Sequence, residues 1–249
     1  MGDAIGDGVR RAFTYSGGVL MALMLGYQLL FVGSVNTVTA SFLPAAVQEG
    51  NSLGLVLPVP VAVAGGLLAV GFLLGTALYL VATRALTRRR SELGSLPSEL
   101  FTRRIGRATL SALGANLVVS VVVMIGFVLF VVPGIFAALS FLFVVFAIGV
   151  EDERAIDAMR RSWELASGDR WLLLGLLIIV AVVTSVGSAI GGALAVVSPL
   201  ASQVASLALS SVFAVVSYGI LADAYLQLSE EKPGGPDGGE PTLDADPMA

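Results

Sequence analysis

Apolar residues fill six long stretches of the chain, at about 17–38, 58–81, 108–131, 134–150, 171–192 and 203–228. Charged residues gather between them. None of the six has the period-2 alternation of a half-buried strand, and each has roughly the length that a ~30 Å hydrocarbon layer requires of a helix. The expectation is an all-α polytopic bundle of six transmembrane helices, paired as three hairpins. Residues 108–150 force one choice. As a single helix they would extend roughly 65 Å, about twice the hydrocarbon thickness. Val132-Pro133-Gly134 is therefore expected to be a hairpin turn, since proline ends a helix and glycine tolerates positive φ.

The connections have their own patterns. Pro44, Glu49-Gly50-Asn51-Ser52 and Gly54 mark a loop over 42–57, and Ser198-Pro199 marks a short apolar turn over 193–202. Between the second and third stretches lie Arg84, Arg88, Arg89, Arg90, Arg103, Arg104 and Arg107, with Pro97-Ser98-Glu99 as a helix start. Residues 155–166 have helical period. Ala155, Ile156, Met159, Ser162, Trp163 and Ala166 fall within roughly 120° of one another, and Arg154, Asp157, Arg160, Arg161 and Glu164 project elsewhere. Asp157–Arg161 and Arg160–Glu164 are spaced as i,i+4 pairs. This segment is expected to lie flat on the cytoplasmic leaflet, with Trp163 and Met159 toward the acyl chains and the Ser162 hydroxyl bonded back to the Ala158 carbonyl. Residues 229–249, rich in glycine, proline and acids, are expected to form a disordered acidic cytoplasmic tail.

Charge supplies the orientation. All 14 Lys and Arg fall before the first span, in 84–107, in 154–170 or at Lys232, and none falls in 42–57, 132–134 or 193–202. Six spans with both termini in the cytoplasm of a cell-membrane protein satisfy the positive-inside rule. Arg10-Arg11 ahead of an apolar run is similar to a twin-arginine export signal, but 17–35 exceeds a signal-peptide core and reads as an uncleaved first span. A basic segment precedes a hairpin three times, around Arg10-Arg11, Arg103-Arg104 and Arg160-Arg161. This faint repeat suits a quasi-threefold bundle as well as it suits any six-span protein.

Composition narrows the chemistry. At 56% hydrophobic, 13% charged and mean hydropathy +0.91, the chain is far from a soluble domain. Cysteine and histidine are absent, which excludes disulfides, thiolate catalysis and His/Cys metal or haem sites. Thirteen arginines against one lysine, with a pI near 4.8, point weakly to a high-GC or salt-adapted organism. The acids Glu151-Asp152-Glu153 suit a helix N-terminus through its dipole better than a divalent ion. Phosphate loops, nucleophile–base pairs and metal-ligand spacings are missing. No enzyme activity, cofactor, metal or nucleic-acid partner is expected.

Pro133-Gly134-Ile135, the acid Glu151 and Ala158-Met-Arg-Arg-Ser162-Trp163-Glu-Leu165-Ala-Ser-Gly168 carry a resemblance. They are similar to the signature of a family named for the membrane domain of glycerophosphoryl diester phosphodiesterases, which includes many uncharacterised bacterial and archaeal proteins. The likeness covers 133–171 well and the flanking spans by hydropathy. It implies a fold and a topology. Catalysis in the name-giving enzymes belongs to a separate barrel domain without counterpart in these 249 residues. Many relatives carry a basic residue in the span after the Pro-Gly element, and Phe136–Phe146 has none.

Few residues invite a functional reading. Asp223, an acid within the sixth stretch, is either a proton carrier or an interfacial partner for Arg84 or Arg107. Gln28, Asn36, Asn116 and Gln203 read as interhelical hydrogen-bond groups, and Ser202, Ser206, Ser210 and Ser217 read first as a close-packing face. Arg88, Arg89, Arg90, Arg103, Arg104 and Arg107 either set orientation or hold anionic lipid headgroups. Two functions follow from these readings. One is a non-catalytic scaffold, assembly factor or regulator that contacts lipids and protein partners. The other is a small transporter or channel using Asp223 and the serine face.

Overall fold

The computed structural model describes residues 2–43, 54–194 and 199–232 of the protein. Every regular element among them is helical: α1 (Gly2–Ala12), α2 (Tyr15–Phe42), α3 (Val61–Leu86), α4 (Glu99–Thr102), α5 (Ile105–Leu129), α6 (Val131–Ser140), α7 (Val144–Val150), α8 (Ala155–Ala166), α9 (Arg170–Leu194) and α10 (Pro199–Glu231), with a 3₁₀ turn at Arg90–Glu92. Helices α2, α3, α5, α10 and the consecutive pair α6–α7 are each long and apolar enough to cross a membrane. A sixth candidate is α8 with the start of α9, bent by 101°. The protein is an all-helical, membrane-embedded bundle.

Local chemistry explains the helix ends. Thr14 caps α2 by accepting the Gly17 N–H at 3.3 Å. Pro199 begins α10, where its missing N–H leaves no bond unmade. At the end of α8, Gly168 takes φ +94°, a left-handed conformation that costs glycine little. The chain then turns into α9.

Packing runs through close approaches. Helix α1 lies along α10, α2 pairs with α3, α5 with α6, and α9 with α10. The Gly71-x-x-x-Gly75 face of α3 meets α2, since a Cβ at Gly71 would strike Phe31 at 2.7 Å and one at Gly75 the Tyr27 hydroxyl. In the core, rings stack in sequence from Phe143 to Tyr225 (5.8 Å), Phe146 (5.5 Å), Tyr218 (5.8 Å) and Tyr79 (5.3 Å). They join α7 to α10 and α3.

Four expectations need correction. The hairpin reverses at Phe130, between α5 and α6, so Pro133 and Gly134 sit inside the first turn of α6. Proline fits there because first-turn N–H groups lack intrahelical acceptors. Gly134 serves close packing, since a Cβ on Gly126 would come within 2.9 Å of its Cα. Second, the stretch 134–150 is two helices interrupted at 141–143. Third, Arg161, expected to project away from the bundle with the other charged residues of α8, is buried together with Ala158, Ser162, Leu165 and Ala166, while Ile156 (72% exposed) and Trp163 (41% exposed) lie on the protein's outer surface. Fourth, the last helix continues to Glu231, so the first three residues of the expected tail, 229–231, are helical. Residues 233–249 of that tail, residues 195–198 of the turn over 193–202, and most of the 42–57 loop lie outside the described residues.

Candidate functional site

Charged side chains converge at one end of the bundle, where α1, α3, α7 and α10 finish and α5 and α8 begin. Three arginines there, two buried and one partly buried, face acids from other elements. Arg11, in the last turn of α1, sets its Nε 3.3 Å from Oδ1 of Asp223 on α10, while its Nη1 donates to the carbonyls of Leu86 (3.2 Å) and Arg88 (2.8 Å). Gln227 donates to the other oxygen of Asp223 at 2.9 Å. The Asp223 partner is thus Arg11, neither Arg84 nor Arg107. Arg11 comes within reach because α1 folds back along α10, an arrangement that an amphipathic N-terminal segment does not reveal.

Arg84 is the second. It lies in the last turn of α3 and is 7% exposed. Its Nε donates to Gly149 O at 2.8 Å, its Nη1 to Arg103 O at 2.8 Å, and its Nη2 to Asp152 Oδ1 at 3.2 Å. Arg103 reaches the other oxygen of Asp152 at 2.7 Å. Asp152 has φ +57°, which aspartate tolerates better than most residues, and this turn after α7 presents its carboxylate between the two cations.

Arg161 is the third, also 7% exposed, on the buried face of α8. Its Nε lies 3.4 Å from Oε2 of Glu151, and its Nη1 donates to Lys232 O at 3.1 Å. The Tyr225 hydroxyl donates to Glu151. Lys232 bonds Asp169 at 2.9 Å and the Leu165 carbonyl at 3.0 Å, which ties the end of α10 to the α8–α9 corner. Asp157 does not hold Arg161 as the i,i+4 spacing suggested. Beside this cluster stands Glu153, with a buried Oε2 that lacks a hydrogen-bond partner. Burial, then the charges of Glu151 and Asp157, push its carboxyl up to about 6 against the opposing pull of Arg161.

Ser162 occupies the break between α6 and α7. Its hydroxyl donates to Ser140 O at 2.9 Å and accepts the Phe143 N–H at 3.1 Å. The expected bond to the Ala158 carbonyl is replaced by one that joins two helices. Backbone groups freed by a break in an apolar interior must find such partners. Trp163 packs against Phe136 (5.5 Å) and Phe141 (5.9 Å).

The other singled-out residues do not meet these. Asn116 is exposed on α5. Asn36 donates to Leu55 O at 2.9 Å, Gln203 accepts from the Leu55 N–H, and Ser210 donates to Gln28 at 2.6 Å, all toward the opposite part of the bundle. Arg89, Arg104 and Arg107 are exposed, Arg88 pairs with Glu92 at 3.3 Å, and the Arg90 side chain lies outside the described residues. Three of the cavities bear on these residues. One of about 10 Å³ touches Arg104, Arg107 and Glu153; one of about 330 Å³ lies beside Arg84, Arg88 and Arg103; one of about 550 Å³ is an apolar cleft between α6 and α9. Neither Asp223 nor Asn116 lines any of them. No group of three or more acids able to hold a metal ion occurs among the described residues.

The sequence carried signals for some of what it left unread. Arg84 sits inside Ala82-Thr83-Arg84-Ala85-Leu86, and a cation amid apolar residues in the last turn of a helix implies an acid nearby. Glu151 and Asp152 directly follow a span, at the same depth. Nothing local marks Tyr225 or Lys232.

These features define a polytopic helical membrane protein whose helices are cross-tied at one end by buried arginine–carboxylate contacts. A protein-family model described as a domain of unknown function (DUF7847) matches residues 1–228, and the chain belongs to that family. No curated protein and no solved structure matches it.

Proposed function

We propose that the protein is a non-catalytic, multi-pass scaffold or regulatory protein of the cell membrane, with its arginine-bearing end and both termini in the cytoplasm. One observation carries the reading. Asp223, the acid within the last span, is engaged on one carboxylate oxygen by Arg11 and on the other by Gln227. A proton or ion carrier needs an acid that faces a polar, accessible space, and here the acid joins helices. The distribution of Lys and Arg supports the orientation. Exposed Arg89, Arg104 and Arg107 are placed to meet anionic headgroups at that face.

Kinship with the phosphodiesterase membrane-domain family belongs to the same proposal. The residues behind that likeness hold one corner of the fold: Gly134 packs α6 on α5, Glu151 receives Arg161 and Tyr225, Ser162 mends the α6–α7 break, and Gly168 turns α8 into α9. Such a motif preserves architecture and specifies no reaction.

The test is flux. In proteoliposomes loaded with a pH-sensitive dye, the protein should give proton leakage equal to that of empty vesicles under an imposed gradient, and Asp223→Asn should match it. A proton flux present in the native chain and lost in a stably folded Asp223→Asn would establish the transporter reading instead.

A further inference from the structure

The apolar cleft of about 550 Å³ between α6 and α9 has a feature that the scaffold reading does not use. Its walls are Val132, Ile135, Phe136 and Leu139 on one side and Trp171 and Leu174 on the other, with Arg170 at its margin. The Arg170 guanidinium stands over the Phe136 ring at 4.3 Å and 5.2 Å from Trp163. Its Nε is buried without an acceptor. No carboxylate pairs with it among the described residues, and the adjacent acid, Asp169, is committed to Lys232 at 2.9 Å. A cation that rests on ring faces but has no carboxylate partner therefore borders a cleft whose walls offer water almost nothing to bond.

We propose that this cleft binds an anionic glycerophospholipid, with one acyl chain between α6 and α9 and the headgroup phosphate on Arg170. Three properties select that occupant. The walls are apolar and Val132 and Trp171 are largely exposed, at 76% and 86%, so a hydrocarbon chain can enter from the side. A guanidinium lacking a protein anion matches a phosphate, which it can meet with two parallel N–H donors. Trp171, at the rim beside Arg170, is the kind of amphipathic ring that settles at headgroup level. A neutral apolar guest would leave Arg170 unpaired. The site holds in either leaflet, so it stands or falls apart from the proposed orientation and from the flux test.

The chain supplies its own probe, because Trp163 and Trp171 are its only tryptophans and both lie beside Arg170. The full protein is reconstituted in bilayers, and its fluorescence is titrated with dibrominated phosphatidylglycerol or dibrominated phosphatidylcholine at low mole fraction. The anionic lipid should quench with a relative binding constant on the order of fivefold higher. Arg170→Gln should reduce that ratio to about one, Arg170→Lys should keep most of it, and Arg10→Gln, exposed on α1 and outside the cleft lining, should leave it unchanged. Ile135→Phe, which fills the cleft, should weaken quenching by both lipids. Equal quenching of the native chain by both lipids would overturn the site, as would an undiminished preference in Arg170→Gln. So would absence of quenching with a second copy cross-linked across this face.

Discussion

The Ser162 hydroxyl lies 3.1 Å from the Phe143 amide nitrogen, on a different helix, and completes the backbone where α6 gives way to α7. The same hydroxyl donates to Ser140 O, so one buried side chain satisfies a donor and an acceptor of the break. Ser162 is 0% exposed, out of contact with bulk solvent. Leaving a buried backbone group unpaired costs about 1–3 kcal/mol. Ser162→Ala should lower stability by about that amount, and Ser162→Leu by more, because it also drives bulk into the α7 contact. Thermal unfolding in nanodiscs measures both. An unchanged midpoint in Ser162→Ala would show that the break is satisfied in another way.

Glu153 should make stability depend on pH. Its folded carboxyl titrates at about 6 against an ordinary 4.5, so the folded chain holds this proton more tightly than the unfolded chain does. Glu151, Asp157 and Glu164 raise its value and Arg161 lowers it, while Asp152, Arg104 and Arg107 share its small cavity. The sign follows from linkage. This contribution to stability is greatest below about 4.5, falls as pH rises through about 6, and is level above. Glu153→Gln should remove that fall. The check is the difference in unfolding midpoint between Glu153→Gln and the native chain from pH 4.5 to 7.5, which should widen in favour of the variant as pH rises. A constant difference contradicts the account.

How much of this was legible in the sequence depended on what the surroundings reward. The six apolar stretches stood out, because a bilayer demands unbroken hydrocarbon whatever the packing. Helix faces did not. In lipid the outside is as apolar as the inside, so Ile156 and Trp163 can project outward while Arg161 and Ser162 turn in toward partners. The i,i+4 spacing of Asp157 and Arg161 suggested a solvated charge pair, and nothing local told that Arg161 would turn into the bundle toward Glu151. The Pro133-Gly134 element likewise suggested a turn, since proline at a helix start and proline after a helix end look alike without the Phe130 reversal. Asp223 was recognisable as important, but its partner was set by how α1 folds back on α10.

Orientation can be read by cysteine labelling, since the native chain has no cysteine. Single cysteines at Gln48, Phe130 and Pro199 should react with an impermeant maleimide in intact cells. Those at Ser95 and Ser167 should react only after permeabilisation. Labelling of Ser167 from outside would invert the proposed topology.

The most direct test of the central claim, that the acid of the last span is a structural tie, is a double-mutant cycle on Arg11 and Asp223. Their side chains are only 12% and 10% exposed, and removing one partner of such a buried pair costs about 3–5 kcal/mol because it strands the other charge. Removing both leaves no stranded charge. Arg11→Leu and Asp223→Leu should each lower the unfolding midpoint markedly, and the double variant should be more stable than the sum of the two losses by about 1–3 kcal/mol. Strictly additive losses, or an Asp223→Leu variant as stable as the native chain, would contradict it.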